Sequence, residues 1–135
     1  MASVHLRFTA SPEHVRTARL VATSVARRLG FSDEVLEEIR LGVGEACARA
    51  VQRSETLGHP DDVEVELRDD EGRLVVVVRD AAAGEGPGEA GVADAGDDLS
   101  LLLLQGLADS VSLSDGPGGP GGSLALQWDV ASLRG

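Results

Sequence analysis

The chain has 135 residues, 42% of them hydrophobic and 26% charged, which suits one globular domain rather than a disordered chain. Twelve basic residues stand against 23 Asp and Glu, for a formal net charge of −11. That acidity argues against partners in nucleic acid, which needs clustered Lys and Arg, and against an anionic membrane surface, and it favours a basic protein partner.

The first predicted element is a strand, "VHLRF" (4–8), where apolar and polar residues alternate. A helix is predicted next, over 10–30. Ser11 suits its N-cap and Pro12 its first position, Arg27 and Arg28 suit its C-terminal dipole, and Gly30 suits its stop. Its apolar face is Val15, Ala18, Ala22, Val25, Ala26 and Leu29. A second helix is predicted from Ser32 to Ser54, capped by Ser32, with Asp33 and Glu34 in its first turn and Val35, Ile39, Val43, Ala46 and Ala50 as its buried stripe.

The period then changes from helical to two. "VEVELR" (63–68) alternates, "RLVVVVRD" (73–80) is a continuous apolar run suited to a central strand, and "DDEG" (69–72) is a hairpin turn between them. Residues 81–98 are Gly, Ala and acid, predicted as a long lid-like loop. "LSLLLLQGLA" (99–108) is predicted as a short buried helix with Asp97 or Asp98 at its N-cap. "SVSLS" (110–114) and "SLALQWDV" (123–130) read as strands joined by "DGPGGPGG", a hairpin loop rather than a phosphate-binding P-loop, because Lys is absent and no helix follows. With aromatics at 2%, Leu, Val and Ala must fill the core.

This order predicts a single α+β domain over 1–135: a two-layer sandwich with helices on one face of a mixed, mostly antiparallel sheet. Cys47 is the one cysteine, so no disulfide framework forms, and "MASVHLRF" has no long apolar run. A cytoplasmic location is expected. Cys47 reads as a small buried hydrophobe and Trp128 as core. His5, His14 and His59 have no metal-ligand spacing, and no metal site is expected. By spacing alone, Glu45 and Arg49 form an ordinary i,i+4 pair, worth about 0.2–0.5 kcal/mol to a helix.

"LEEIRLGVGEACARAV" (36–51), "VVVVRDAAAG" (75–84), "DDLSLLLLQGLADSVSLS" (97–114) and "GGSLALQWDV" (121–130), taken together, resemble the anti-sigma serine kinases of the GHKL (Bergerat) ATPase superfamily. The likeness covers nearly the whole chain and implies that fold. It also implies a sigma factor and an anti-anti-sigma (STAS-domain) protein as partners, and a homodimer. Glu45 matches the general-base Glu of the family's N-box, and Asp80 the Asp that reads the adenine amino group. Gly84 matches the second Gly of the Asp-x-Gly-x-Gly motif.

The departures fall on the nucleotide site. Arg49 stands where the family has an Asn that helps to hold magnesium, and this chain contains no Asn. Ala82 replaces the first Gly, whose lack of a side chain permits close backbone approach. The phosphate-cradling motif reads Gly96-Asp97-Asp98-Leu99-Ser100-Leu101, and 81–98 also holds Glu85, Glu89 and Asp94 with no basic residue. These departures imply no cofactor, with ATP and Mg²⁺ expected only if the pocket still works. Arg49 is expected to neutralise Glu45 and fill the former magnesium position. The function implied is regulation by protein binding with kinase activity lost. The alternatives are an active kinase that phosphorylates an anti-anti-sigma factor, and a scaffold that dimerises with a nucleotide-competent paralogue.

Overall fold

The computed structural model describes residues 3–9, 11–56, 62–80, 95–116 and 119–130. Five strands form one sheet: β1 (Ser3–Thr9), β2 (Asp62–Asp69), β3 (Arg73–Arg79), β4 (Ser110–Gly116) and β5 (Gly119–Asp129), in the spatial order β1-β2-β3-β5-β4. Every neighbouring pair is antiparallel, so the mixed sheet expected from the sequence is antiparallel throughout its described strands. Three helices pack with it: α1 (Val15–Leu29), α2 (Asp33–Thr56) and α3 (Ala95–Leu107).

The helix ends follow local chemistry. A short 3₁₀ turn, Pro12–His14, precedes α1, so the helix proper starts later than expected. Ser11 does not cap through its side chain; its carbonyl accepts from the His14 N–H at 3.1 Å. Gly30 ends α1 at φ 94°, where its N–H reaches the Arg27 carbonyl and the Phe31 N–H the Ala26 carbonyl, the paired closure of a Schellman motif. Ser32 caps α2 as expected, its Oγ accepting from the Val35 N–H at 3.4 Å. In the β2–β3 hairpin Glu71 and Gly72 both have positive φ, at 54° and 82°, which matches the turn to the right-handed twist of its strands.

The core lies between α1, α2 and one face of the sheet. Ala18, Ala22 and Ala26 of α1 are fully buried, and small side chains there let α2 approach closely. In β3 the residues alternate across the sheet: Leu74, Val76 and Val78 join the core, while Val75 and Val77 face the other side. On that far side their register partners on β2 are Arg68 and Glu66, and Arg79 donates to Glu66 at 3.3 Å, so long charged side chains flank the central valines. The stripe of α2 shifts slightly from the expected one: Val35 is half-buried, and Leu36, Cys47 and Val51 are added to it.

Trp128 on β5 is completely buried and donates its indole N–H to the Leu107 carbonyl at 2.9 Å. Gly42 lets α2 lie on that ring, for a Cβ at Gly42 would stand 2.9 Å from two of its carbons.

The third helix differs most from expectation. It begins at Ala95, so Asp97 and Asp98 fall inside its first turn rather than at its N-cap. It is also not buried all round: Ser100 and Leu104 turn inward, as does Ala108 just past its end, while Leu99, Leu102 and Leu103 are 58%, 65% and 49% exposed. The run is apolar on every side, but the sheet and α2 cover only one. Among the described residues no helix is long and apolar enough to cross a membrane.

Candidate functional site

α2 brings the candidate residues into line. Glu45, Arg49 and Arg53 are spaced by four, so they stack on one face, one turn apart. Glu45 is half-buried and Arg49 is 4% exposed, a guanidinium almost removed from water. Such a charge persists in a fold only when it is paired and hydrogen-bonded.

The partners on this face come from β3 and α3. Asp80 follows the last residue of β3 and is 3% exposed. Its Oδ2 accepts from Arg53 Nε at 3.2 Å, an ion pair whose carboxylate side is buried. Ser100, in the first half of α3, is 8% exposed and donates its hydroxyl to Glu45 Oε2 at 2.5 Å. A hydroxyl on a carboxylate at that distance is a short, charge-assisted bond. It ties α3 onto α2.

Of the residues singled out in the sequence, the structure places Glu45, Arg49 and Asp80 on this α2–β3 face. Gly84, Ala82 and His59 lie outside the described residues, as does the 81–94 part of the acidic segment. The side chains of Asp97 and Asp98 are likewise outside the description. Glu45 Oε2 accepts from Ser100, a contact that the spacing along α2 did not indicate. Two members were missed. Arg53 carried a signal, since it continues the Glu45–Arg49 spacing by one more turn. Ser100 carried a fainter one, as the single polar residue in "LSLLLL".

The donor set bears on a magnesium ion, which takes oxygen ligands in octahedral geometry. One turn after Glu45 stands a guanidinium, which offers only donors and a positive charge. The residues present therefore do not fit that ion. Among the described residues no three His, Cys, Asp or Glu side chains gather as a metal-binding group.

Cys47, between Glu45 and Arg49 in sequence, points instead into the core. Burial pushes its thiol up to about 12, against a weaker opposing pull from Arg19. A neutral thiol sealed from solvent is packing, not a nucleophile. His14 is half-buried with its ring 5.7 Å from that of Phe8.

The chain is similar to known proteins over most of its length. The family model described as the histidine kinase-like ATPase domain matches residues 8–128. Serine-protein kinase RsbW of Bacillus velezensis is 34% identical over 77 residues, covering 57% of this chain and 48% of that protein. The protein of the same name from Bacillus subtilis is 32% identical over 77 residues, with the same coverage. That of Listeria monocytogenes is 31% identical over 129 residues, 84% of this chain and 82% of that protein. The chain thus spans about half the length of the Bacillus relatives and most of the Listeria one.

Proposed function

The chain belongs to the histidine kinase-like ATPase domain family, and we propose that within it this protein is an anti-sigma-type regulator that works by binding proteins. Its partners are a sigma factor, an anti-anti-sigma protein of the STAS class, or both. Its nucleotide site is degenerate and its kinase activity lost.

The observation that carries this reading is the buried Arg49 one turn after Glu45. It puts a positive charge where catalysis in this family would need an oxygen ligand for magnesium. Two further contacts support it. Glu45 Oε2 accepts the Ser100 hydroxyl, so one oxygen at the general-base position is already engaged inside the fold. Asp80 is held through Oδ2 by Arg53, which competes with a ligand for that oxygen. The net charge of −11 suits the basic surface of a DNA-binding partner and speeds encounter with it by long-range attraction.

The test is calorimetric titration of ATP and ADP, with and without Mg²⁺, on the wild type and on Arg49→Asn, beside capture of sigma factors and STAS-domain proteins from its own genome. Partner capture with no nucleotide heat is the expected result. Gain of nucleotide binding by Arg49→Asn would identify Arg49 as the lock. Micromolar ATP binding by the wild type, with phosphate transfer to a STAS-domain serine, would establish an active kinase instead.

A further inference from the structure

The two ends of α3 are attached by different kinds of contact. At the C-terminal end the Leu107 carbonyl accepts the indole N–H of the fully buried Trp128 at 2.9 Å. Just beyond it the Asp109 N–H reaches the Gln127 carbonyl at 2.9 Å, so this end is built into the sheet. Ser100 lies about 10 Å back along the helix axis. There the polar attachment is a single bond, from Ser100 Oγ to Glu45 Oε2. Leu104, between the two, is completely buried, while Leu99, Leu102 and Leu103 are open to solvent. The N-terminal half of α3 is therefore held from one side.

Ser100 is the single polar residue of "LSLLLL" and is 8% exposed. A buried hydroxyl requires a partner, and a carboxylate gives it a charge-assisted one. With that bond made, α3 rests on α2. With it broken, the N-terminal half is released while Trp128 still holds the other end.

The bond sits on the α2 face that carries Arg49. Glu45 and Arg53 stand one turn to either side of Arg49; Glu45 is tied to α3 and Arg53 to Asp80. Arg49, between the two ties, is 4% exposed. Ser100 also belongs to 96–101, the stretch matched to the phosphate-cradling motif. That stretch thus touches the general-base position directly. A hydroxyl giving its proton to a base must come within about 2.6–3.2 Å of it. At Oε2 the Ser100 hydroxyl already holds that place, at 2.5 Å.

If this face is a degenerate nucleotide site, as proposed above, we infer that Ser100 is an autoinhibitory clasp. Its hydroxyl holds α3 against the α2 face that carries Arg49, and releasing it opens the site. Arg49 and Ser100 are then separate locks, one acting by charge and one by closure. A closed form lowers apparent affinity by the fraction of molecules that are open, so removing the clasp strengthens binding without adding a contact.

The experiment uses the whole chain as wild type, Ser100→Ala, Arg49→Asn, and Arg49→Asn with Ser100→Ala. Val65→Ala, in the core of β2 and outside α3, is the control for general destabilisation. Amide hydrogen exchange reads the opening of α3, and anisotropy of a fluorescent ATP analogue, with and without Mg²⁺, reads the site. In Ser100→Ala the amides of α3 should exchange about tenfold faster or more relative to those of α1, a local opening that Val65→Ala does not produce. The double variant should bind the analogue about tenfold more tightly than Arg49→Asn. Should the alanine proteins fail to fold by circular dichroism, Ser100→Cys, of nearly the same shape and a weaker donor, is read in the same way.

Unchanged relative exchange in α3 would overturn the clasp. So would a double variant that binds no better than Arg49→Asn, whether both bind or neither does; faster exchange without that gain leaves Ser100 a packing contact. The degenerate-site reading fails separately, if the wild type itself binds ATP at micromolar concentration and transfers phosphate to a STAS-domain serine. The clasp is then judged by Ser100→Ala against wild type: faster transfer upholds it, and equal transfer removes it.

Discussion

Two glycines of this fold should respond to the same substitution with opposite sign. Gly→Ala in a helix interior gains about 1 kcal/mol, because alanine restricts the unfolded chain and favours the helix. At Gly106 nothing opposes that gain, since a new Cβ meets open space. Gly106→Ala should therefore stabilise, by about 0.5–1 kcal/mol, the lower part of the range reflecting its place near the end of α3. At Gly42 the new methyl stands 2.9 Å from Cη2 and Cζ2 of Trp128. That ring cannot swing aside cheaply, because it is fully buried and held by its hydrogen bond to the Leu107 carbonyl. Overpacking of this kind costs about 1–3 kcal/mol, so Gly42→Ala should destabilise by up to about 2 kcal/mol after the propensity gain is subtracted. Urea unfolding followed by circular dichroism measures both. If Gly42→Ala is as stabilising as Gly106→Ala, α2 does not rest on Trp128 as described, and the seat of Glu45 and Arg49 is wrong with it.

Two other perturbations probe the same helix. Ser100→Ala removes the donor to Glu45 Oε2 and should cost about 1.5–3 kcal/mol, the usual worth of a hydrogen bond to a charged group; urea melts that match wild type would show that the bond contributes nothing. Cys47 should resist alkylation in the native protein at mildly alkaline pH and react only on unfolding. Its folded pKa, about 12, lies above the unfolded value of 9.0, so the unfolded state loses the proton first. Its contribution is then fully present below about pH 9 and declines by about 1.4 kcal/mol per pH unit from there toward pH 12. A pH series of urea melts on wild type and Cys47→Ala should show the alkaline decline less steep in the variant.

Much of this protein was legible before folding was considered. The strand and helix order followed from periodicity, because side chains alternate every two residues along a strand and recur near every 3.6 along a helix. Gly30 and Ser32 marked helix ends because their roles there are local. The family was readable because its motifs are short stretches whose residues lie together in the chain, and Glu45 and Arg49 belong to one of them. Three things needed the tertiary structure. The extent of α3 and its half-exposed face depended on how much of its surface α2 and the sheet could cover, which no run of leucines states. The hydrogen bond to Glu45 was decided by packing rather than spacing: Ser100, 55 positions further along the chain, reaches it from α3. Arg53 met Asp80 for the same reason, 27 residues apart. Periodicity fixes which face of an element turns inward, but only packing decides which two faces meet and what each one leaves bare.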